Sequence, residues 1–330
     1  MAGKKPGRRR ALGGAVVVIG GANIDVKARI AGTTVPATSN PGTSATLSAG
    51  GVGRNIAHNL ARLGIQTRLI SIVGRDPEGS RLLDETARAG VDVSQVRRGK
   101  APTGLYSAVL DSTGELVIGV SAMSILDELT PADLQKRADA IDRAAFVIAD
   151  CNLRPDCLKW LLARTRRHKV PILIEPVSVP KAAKLTPLLR AGIRLHTMTP
   201  NLKQLEALAG APLGTAARLR HAASALHDRG IENILVGLGP KGAALSCRSG
   251  EATLFQHIPA AMHAAQDVTG GGDALVAGYV AAIMGGTQPI GAAVFGQAAA
   301  GLAVASVNTV SAKIDPKRVM RAAAELARRM

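Results

Sequence analysis

A carboxylate placed directly after three consecutive glycines is the arrangement best suited to chemistry in this 330-residue chain: Asp273 follows Gly270, Gly271 and Gly272 in the stretch DVTGGGDALVAGY, residues 267–279. Glycine opens backbone angles closed to other residues and lets main chain approach a ligand closely. After Asp273 the apolar residues Leu275, Val276, Tyr279 and Val280 recur at helical spacing. The glycines therefore predict a tight turn into a helix N-terminus, whose free N–H groups and positive dipole end suit phosphate. At the mouth of that anion hole, Asp273 can accept the proton of an attacking hydroxyl. The same residues also fit a loop whose aspartate caps the helix.

Two more stretches offer groups that hold hydroxyls. Residues 15–21 form an apolar run that predicts a buried strand, and Asn23 and Asp25 follow just past its end. Ligands of open α/β sheets bind at that end of the strands, although Asn and Asp are also ordinary turn residues. Gly50-Gly51-Val52-Gly53 then leads into a helix over 54–63, stopped by Gly64. Asn55 sits in its first turn, and bare backbone there can meet a sugar closely.

The elements that must position these residues alternate. Strands are predicted at 67–73, 146–150, 172–175, 194–199, 233–236 and 243–247, and helices at 78–89, 155–168, 202–209 and 215–228. This is the pattern of a doubly wound, mostly parallel α/β sheet with helices on both faces. Residues 103–110 and 115–121 alternate as a hairpin, and with 26–48 they predict a small second sheet. Gly237-Leu238-Gly239-Pro240-Lys241-Gly242 fits the spacing of a dinucleotide fingerprint. That fingerprint requires a helix next, whereas a second strand follows, so a hairpin turn is the better reading.

Composition narrows the class. Hydrophobic residues make up 47% and aromatics 2%, so the core is aliphatic; the net charge of +17 favours anionic ligands. The cations gather in an N-terminal tail (Lys4, Lys5, Arg8, Arg9, Arg10) and near the other end (Arg318, Arg321, Arg328, Arg329). Without interleaved aromatics they read as solvated faces, which disfavours nucleic acid as a partner. Three cysteines without a C-x-x-C pair point to a reduced, cytoplasmic setting. The basic start resembles a twin-arginine leader, but the apolar run behind it is short and ends in Asn23 and Asp25. Residues 274–312 carry no charge; Gly285, Gly286 and Pro289 divide them into two buried helices rather than a membrane span.

An early GG-x-G-x-N helix start, a late D-x-T-G-x-G-D turn and the alternating middle together resemble the ribokinase-like (PfkB) family of carbohydrate and nucleoside kinases, from about residue 16 to about 312. Finer stretches are similar to its pseudouridine kinase branch: Ala22-Asn23-Ile24-Asp25, Ser39-Asn40-Pro41-Gly42, Gly50 through Ala57, Ala149-Asp150-Cys151-Asn152 and Pro176-Val177-Ser178. The resemblance implies a tail over 1–14, a kinase domain over 15–315 and a basic helix over 316–330. It implies a β lid near 26–49 and 102–123 that joins two copies as a homodimer. Asp273 would be the base for a nucleoside 5′-hydroxyl, and Gly270, Gly271 and Gly272 the anion hole. Asn23, Asp25, Gly51 and Asn55 would bind ribose, with Asn40 and Asn152 on the sugar or base. Asn201, Gly237, Gly239 and Gly242 would bind ATP, which brings Mg²⁺. Asp267 and Thr269 match a monovalent-cation site, such as one for K⁺. Ribokinase, an adenosine or other nucleoside kinase, and a weakly catalytic nucleoside-binding protein are the alternatives.

The chain departs from the family pattern at several places: Thr199 stands where relatives often carry Lys, Glu175 where they often carry Asp, and Gly271 where Ala is usual. N-x-x-E is common after the middle strand, whereas here Asn201 is followed by Leu202, Lys203 and Gln204. Glutamine lacks the charge that helps organise magnesium-bound water.

Overall fold

The run VVVI has no polar side to offer water, and it becomes β1 (Val16–Ile19), with all four residues at 0% exposure. The structure, a computed structural model, describes residues 14–190, 194–249, 252–261 and 268–330. Around β1 lie the parallel strands β4 (Thr67–Ile70), β9 (Phe146–Asp150), β10 (Ile172–Glu175), β11 (Leu195–Met198) and β12 (Ile231–Gly237). An antiparallel hairpin, β13 (Ala243–Ser249) and β14 (Ala252–Ile258), extends the sheet. The resulting order is β14-β13-β12-β11-β10-β9-β1-β4.

The helices are α1 (Val52–Arg62), α2 (Pro77–Arg88), α3 (Pro131–Gln135), α4 (Ala138–Asp142), α5 (Pro155–His168) and α6 (Val179–Ala182). They continue with α7 (Thr186–Arg190), α8 (Leu202–Ala209), α9 (Ala216–His227), α10 (Gly271–Met284), α11 (Pro289–Val304) and α12 (Pro316–Ala327). Successive strand residues face opposite sides. Val16 and Val18 pack with Ile56, Leu60 and Tyr279 in one layer; Val17 and Ile19 pack with Leu158, Leu161 and Leu226 in the other. The charge-free stretch is the pair α10 and α11, whose small residues permit close packing. No helix among the described residues is long and apolar enough to cross a membrane.

A separate four-stranded sheet has the order β3-β2-β7-β8, built from β2 (Asn23–Ile30), β3 (Gly42–Gly50), β7 (Gly104–Leu110) and β8 (Leu116–Ala122). The remaining strands, β5 (Ile72–Val73) and β6 (Arg97–Arg98), form a small parallel pair. The sequence NIDVKARI alternates strictly. Asn23, Asp25, Lys27 and Arg29 therefore share one face of β2, while Ile24, Val26 and Ala28 share the other with Leu105, Val109, Ile118 and Val120.

Three expectations need adjusting. Asn23 and Asp25 open β2 instead of occupying a free turn after β1, because a second sheet starts there. The strands of the small sheet fall within 23–50 and 104–122, slightly offset from the 26–49 and 102–123 expected for a lid. Strand β14 was not anticipated, since ATLFQHI mixes polar and apolar residues without a clear period. Gly239–Lys241 forms a short turn between β12 and β13, so no helix follows the G-x-G-x-x-G spacing. The tail expected over 1–14 lies outside the described residues except for Gly14, while the expected C-terminal helix is α12.

Candidate active site

The carboxyl ends of β1, β9, β10, β11 and β12 face one edge, and the candidate residues gather there. Gly270 caps α10 with φ 83°, and a Cβ at that position would collide with the Thr309 carbonyl, so only glycine makes this turn. The first intrahelical bond runs from Ala274 N–H to Gly270 O at 2.9 Å. Gly271 N–H reaches Val268 O only at 3.4 Å, and no backbone partner is present among the described residues for the N–H of Gly272 or Asp273. Gly272 opens to solvent. These bare amides at the dipole's positive end are a site for an anion.

Asp273 stands in the first turn of α10 and accepts a hydrogen bond from Asn55 Nδ2 at 3.0 Å. Burial pushes its pKa up to about 7; Asn55 works against that rise, and the charges of Asp150 and Asp25 add to it. A carboxylate that releases its proton near neutrality is matched to general-base work. The Asn55 amide is oriented by its neighbour: Arg54 Nη1 donates to Asn55 Oδ1 at 3.3 Å and to Ala49 O at 3.1 Å. Arg54 is itself buried, which lowers its pKa to about 10.

Asn23 and Asp25 are buried as a pair, with Asn23 Nδ2 donating to Asp25 Oδ1 at 2.7 Å. Burial raises the Asp25 pKa, opposed by Asn23, Lys27 and Arg54. Gly51 has φ 97°, and any side chain there would strike Gly21 O, so the two glycine turns lie against each other. Asn152 Oδ1 accepts from Lys181 Nζ, which leaves the amide nitrogen near Gly21. Lys27 Nζ donates to Thr269 Oγ1 at 3.1 Å, linking the small sheet to the turn ahead of the glycines. Its expected partner in a cation site, Asp267, lies outside the described residues.

Asn40 is not brought to this cluster. Its side chain accepts from Val35 N–H at 2.8 Å and donates to Val35 O at 2.9 Å, closing its own loop. The ribbon register pairs Asn23 with Gly50 and Ile30 with Gly42. Asn40 therefore lies beyond the far end of the hairpin, on the order of 20 Å from Asn23 at about 3.3 Å per residue.

On the expected nucleotide side, Asn201 bridges to Gly237, whose N–H donates to Pro200 O at 2.9 Å. Asn201 and Gln204 form a reciprocal cap on α8: Asn201 Oδ1 accepts from Gln204 N–H at 2.9 Å, and Gln204 Oε1 accepts from Asn201 N–H at 2.8 Å. Gln204 is thus engaged as a cap, and Glu206 Oε1 accepts from Leu213 N–H at 2.8 Å. Gly237 and Gly239 leave open space, whereas Gly242 packs against the Ile258 carbonyl.

Three further residues of this edge carry no role in the sequence reading: Asp150 enters only inside a matched stretch, Glu175 only as a departure from the family pattern, and Lys181 not at all. Asp150 binds the N–H groups of Gly21, Gly53 and Asn152. Glu175 Oε2 accepts from Val177 N–H at 2.7 Å, and burial, then the charges of Asp273 and Asp150, hold its pKa well above the usual range. Val177, a β-branched residue, takes φ 68° there, a strained conformation held at the site's rim. Lys181 follows on α6. A carboxylate at the end of each of two buried strands was the available signal for Asp150 and Glu175.

Residues 14–316 match the family model described as pfkB family carbohydrate kinase. A protein of Escherichia coli (strain K12) named "Uncharacterized sugar kinase YeiI" is 36% identical over 291 residues, covering 88% of this chain and 78% of that protein. The pseudouridine kinase of the same organism is 36% identical over 265 residues, covering 80% and 82%. Among solved structures, Arabidopsis thaliana ribokinase complexed with ribose and ATP superposes with a TM-score of 0.78 at 25% identity, covering 94% of this chain and 98% of that one.

Proposed function

The chain belongs to the PfkB family of carbohydrate kinases, phosphotransferases that act on a hydroxyl group, and from that footing we propose that it phosphorylates the 5′-hydroxyl of a nucleoside, pseudouridine first. The observation that carries the reading is Asp273, a carboxylate with a pKa of about 7 beside an open glycine turn and bonded to Asn55. The 36% identity to a pseudouridine kinase supports the substrate. The equal identity to a sugar kinase keeps ribose as the second reading.

In this mechanism Asn23, Asp25, Asn55 and Gly51 hold the ribose, with Asn152 near the base. Asp273 takes the proton of the 5′-hydroxyl. That oxygen forms a bond to the γ-phosphorus of ATP as the bridge to the β-phosphate breaks. The electron pair leaves with ADP, and the products are the nucleoside 5′-phosphate, ADP and the proton. The N–H groups of residues 271–273 offset the charge on the transferring group. Asn201, Gly237 and Gly239 line the nucleotide's approach. Mg²⁺ accompanying ATP would be held largely by the phosphates and water and would neutralise phosphate charge.

Activation by K⁺ belongs to the same proposal through Thr269 and Asp267, and is read by comparing K⁺ with a bulky organic cation. A homodimer through the lid is supported by the apolar face of the small sheet, where Leu47, Ile118 and Val120 are more than half exposed. A reducing cytoplasm is supported by three free, buried cysteines. The deciding experiment is a panel of pseudouridine, uridine, adenosine and ribose with Mg·ATP, scored by ADP release. Preference for pseudouridine is expected; clear preference for ribose or adenosine overturns the substrate assignment.

A further inference from the structure

Asp150 touches no reacting group in this mechanism, yet it is more deeply buried than Asp25, with 0% of its surface exposed at the end of β9. Oδ2 accepts from Gly21 N–H at 2.8 Å and Gly53 N–H at 2.9 Å; Oδ1 accepts from Asn152 N–H at 2.9 Å. Two segments distant in sequence, and the turn that follows Asp150 itself, therefore end on one side chain. The first runs directly into Asn23 and Asp25. The second opens α1 and carries Arg54 and Asn55. The turn carries Asn152. Gly20 lies so close that a Cβ on it would collide with the carboxylate.

We infer that Asp150 is a positioning residue for phosphoryl transfer: it draws the turns at 20–21 and 51–53 together and so fixes Asn23, Asp25 and Asn55 relative to Asp273. The inference rests on the reading of Asp273 as the base. Only a carboxylate presents acceptor lone pairs on both oxygens to all three donors. An asparagine must turn its NH₂ against one of them, leaving a buried donor unpaired. Misplacing a reacting group by about 1 Å costs on the order of 10²-fold.

The charge has a second consequence. Asp273 is faced by Asp25 from β2, Asp150 from β9 and Glu175 from β10, with Asn55 and the Arg54 guanidinium on α1. Asp150 is also faced by Glu175 and by Lys181 from α6, and Cys151 follows it in the chain. The negative charge of Asp150 helps hold the Asp273 pKa up.

The test compares the parent with Asp150→Asn, Gly20→Ala and Asp273→Asn. ADP release is measured from about pH 5.5 to about pH 9, with the acceptor the parent prefers. Asp150→Asn is expected to raise the acceptor KM and lower kcat, together by on the order of 10²-fold in kcat/KM. Its acid limb should move to lower pH, because one like charge beside the base is gone. Gly20→Ala keeps the charge but pushes it off the turn, so it should share the KM and kcat losses without that downward move. A parental KM and an unmoved acid limb in Asp150→Asn would overturn the inference. If Asp150→Asn does not fold, a parental KM in Gly20→Ala overturns it alone. Failure of the underlying reading looks different: Asp273→Asn would keep parental turnover, while the KM comparison stays interpretable on whichever acceptor the parent phosphorylates.

Discussion

Asp273→Asn should give a worse enzyme and a more stable protein, and the two effects separate by pH. The Asp273 pKa rises from 3.8 to about 7 on folding. The folded state then binds the proton more tightly than the unfolded chain, so stability falls as pH climbs through that window. At about 1.36 kcal/mol per unit, the ionised form costs on the order of 4 kcal/mol above pH 7, of which roughly 2 to 3 kcal/mol develops between pH 5 and pH 8. Asparagine removes the charge and with it the cost. For an entropy of unfolding near 2.1 cal/mol/K per residue, that increment is worth about 4 °C in Tm. The assay is thermal unfolding of parent and variant at pH 5 and pH 8, paired with ADP release. The variant's Tm advantage should be larger at pH 8 by roughly that amount, while kcat falls by about 10²–10⁴. An equal Tm gap at both pH values would refute the buried, proton-hungry carboxylate. Turnover within about threefold of the parent would refute the base, since a lost general base costs at least about 10²-fold.

Asn55→Leu removes the hydrogen bond that stabilises the Asp273 carboxylate, so the acid limb of kcat/KM should rise by about one pH unit, adding a roughly fivefold loss at pH 7 that disappears by about pH 9; a loss independent of pH would contradict it. Gly270→Ala forces a side chain into φ 83° against Thr309 and should cost at least about 1–3 kcal/mol by chemical denaturation, together with most of the activity. Ile118→Lys combined with Val120→Lys should convert a lid-joined dimer to monomer in sedimentation velocity; an unchanged sedimentation coefficient would place any dimer contact elsewhere.

The parallel core was legible because strands buried on both faces have to be apolar runs, as in VVVI at β1 and FVIAD at β9. The glycine turn and its aspartate were legible for a related reason: φ 83° beside a carbonyl admits no other residue, so geometry writes itself into composition. What escaped was contact at long range. The alternation of NIDVKARI was present in the sequence, but Asn and Asp at its start also read as a turn, and only pairing with β7 decides between them. Asp150 was harder still. Its partners are backbone N–H groups 97 and 129 residues away, and a main-chain donor leaves no mark on residue type. Asn40 shows the converse: it lies in a matched motif, yet its side chain closes its own loop away from Asn23, since a motif match says nothing of where a loop folds.

The deepest tension in the molecule is electrostatic. A chain with a net charge of +17 gathers Asp25, Asp150, Glu175 and Asp273 at one sheet edge, where an anionic co-substrate is to arrive. The two scales do different work. Surface cations act over roughly a Debye length and draw anions towards the protein. The acids of the edge act over a few ångströms, and each is offset in part: Asp150 by three N–H groups and Lys181, Asp25 by Asn23, Glu175 by Val177, while burial still raises all three pKa values. Asp273 is offset by a single amide from Asn55, which leaves its pKa at about 7. Burial first, and the neighbouring acids after it, lift this carboxylate into the range a general base needs, and in the proposed reaction the amides of residues 271–273 offset that negative charge for an arriving phosphate.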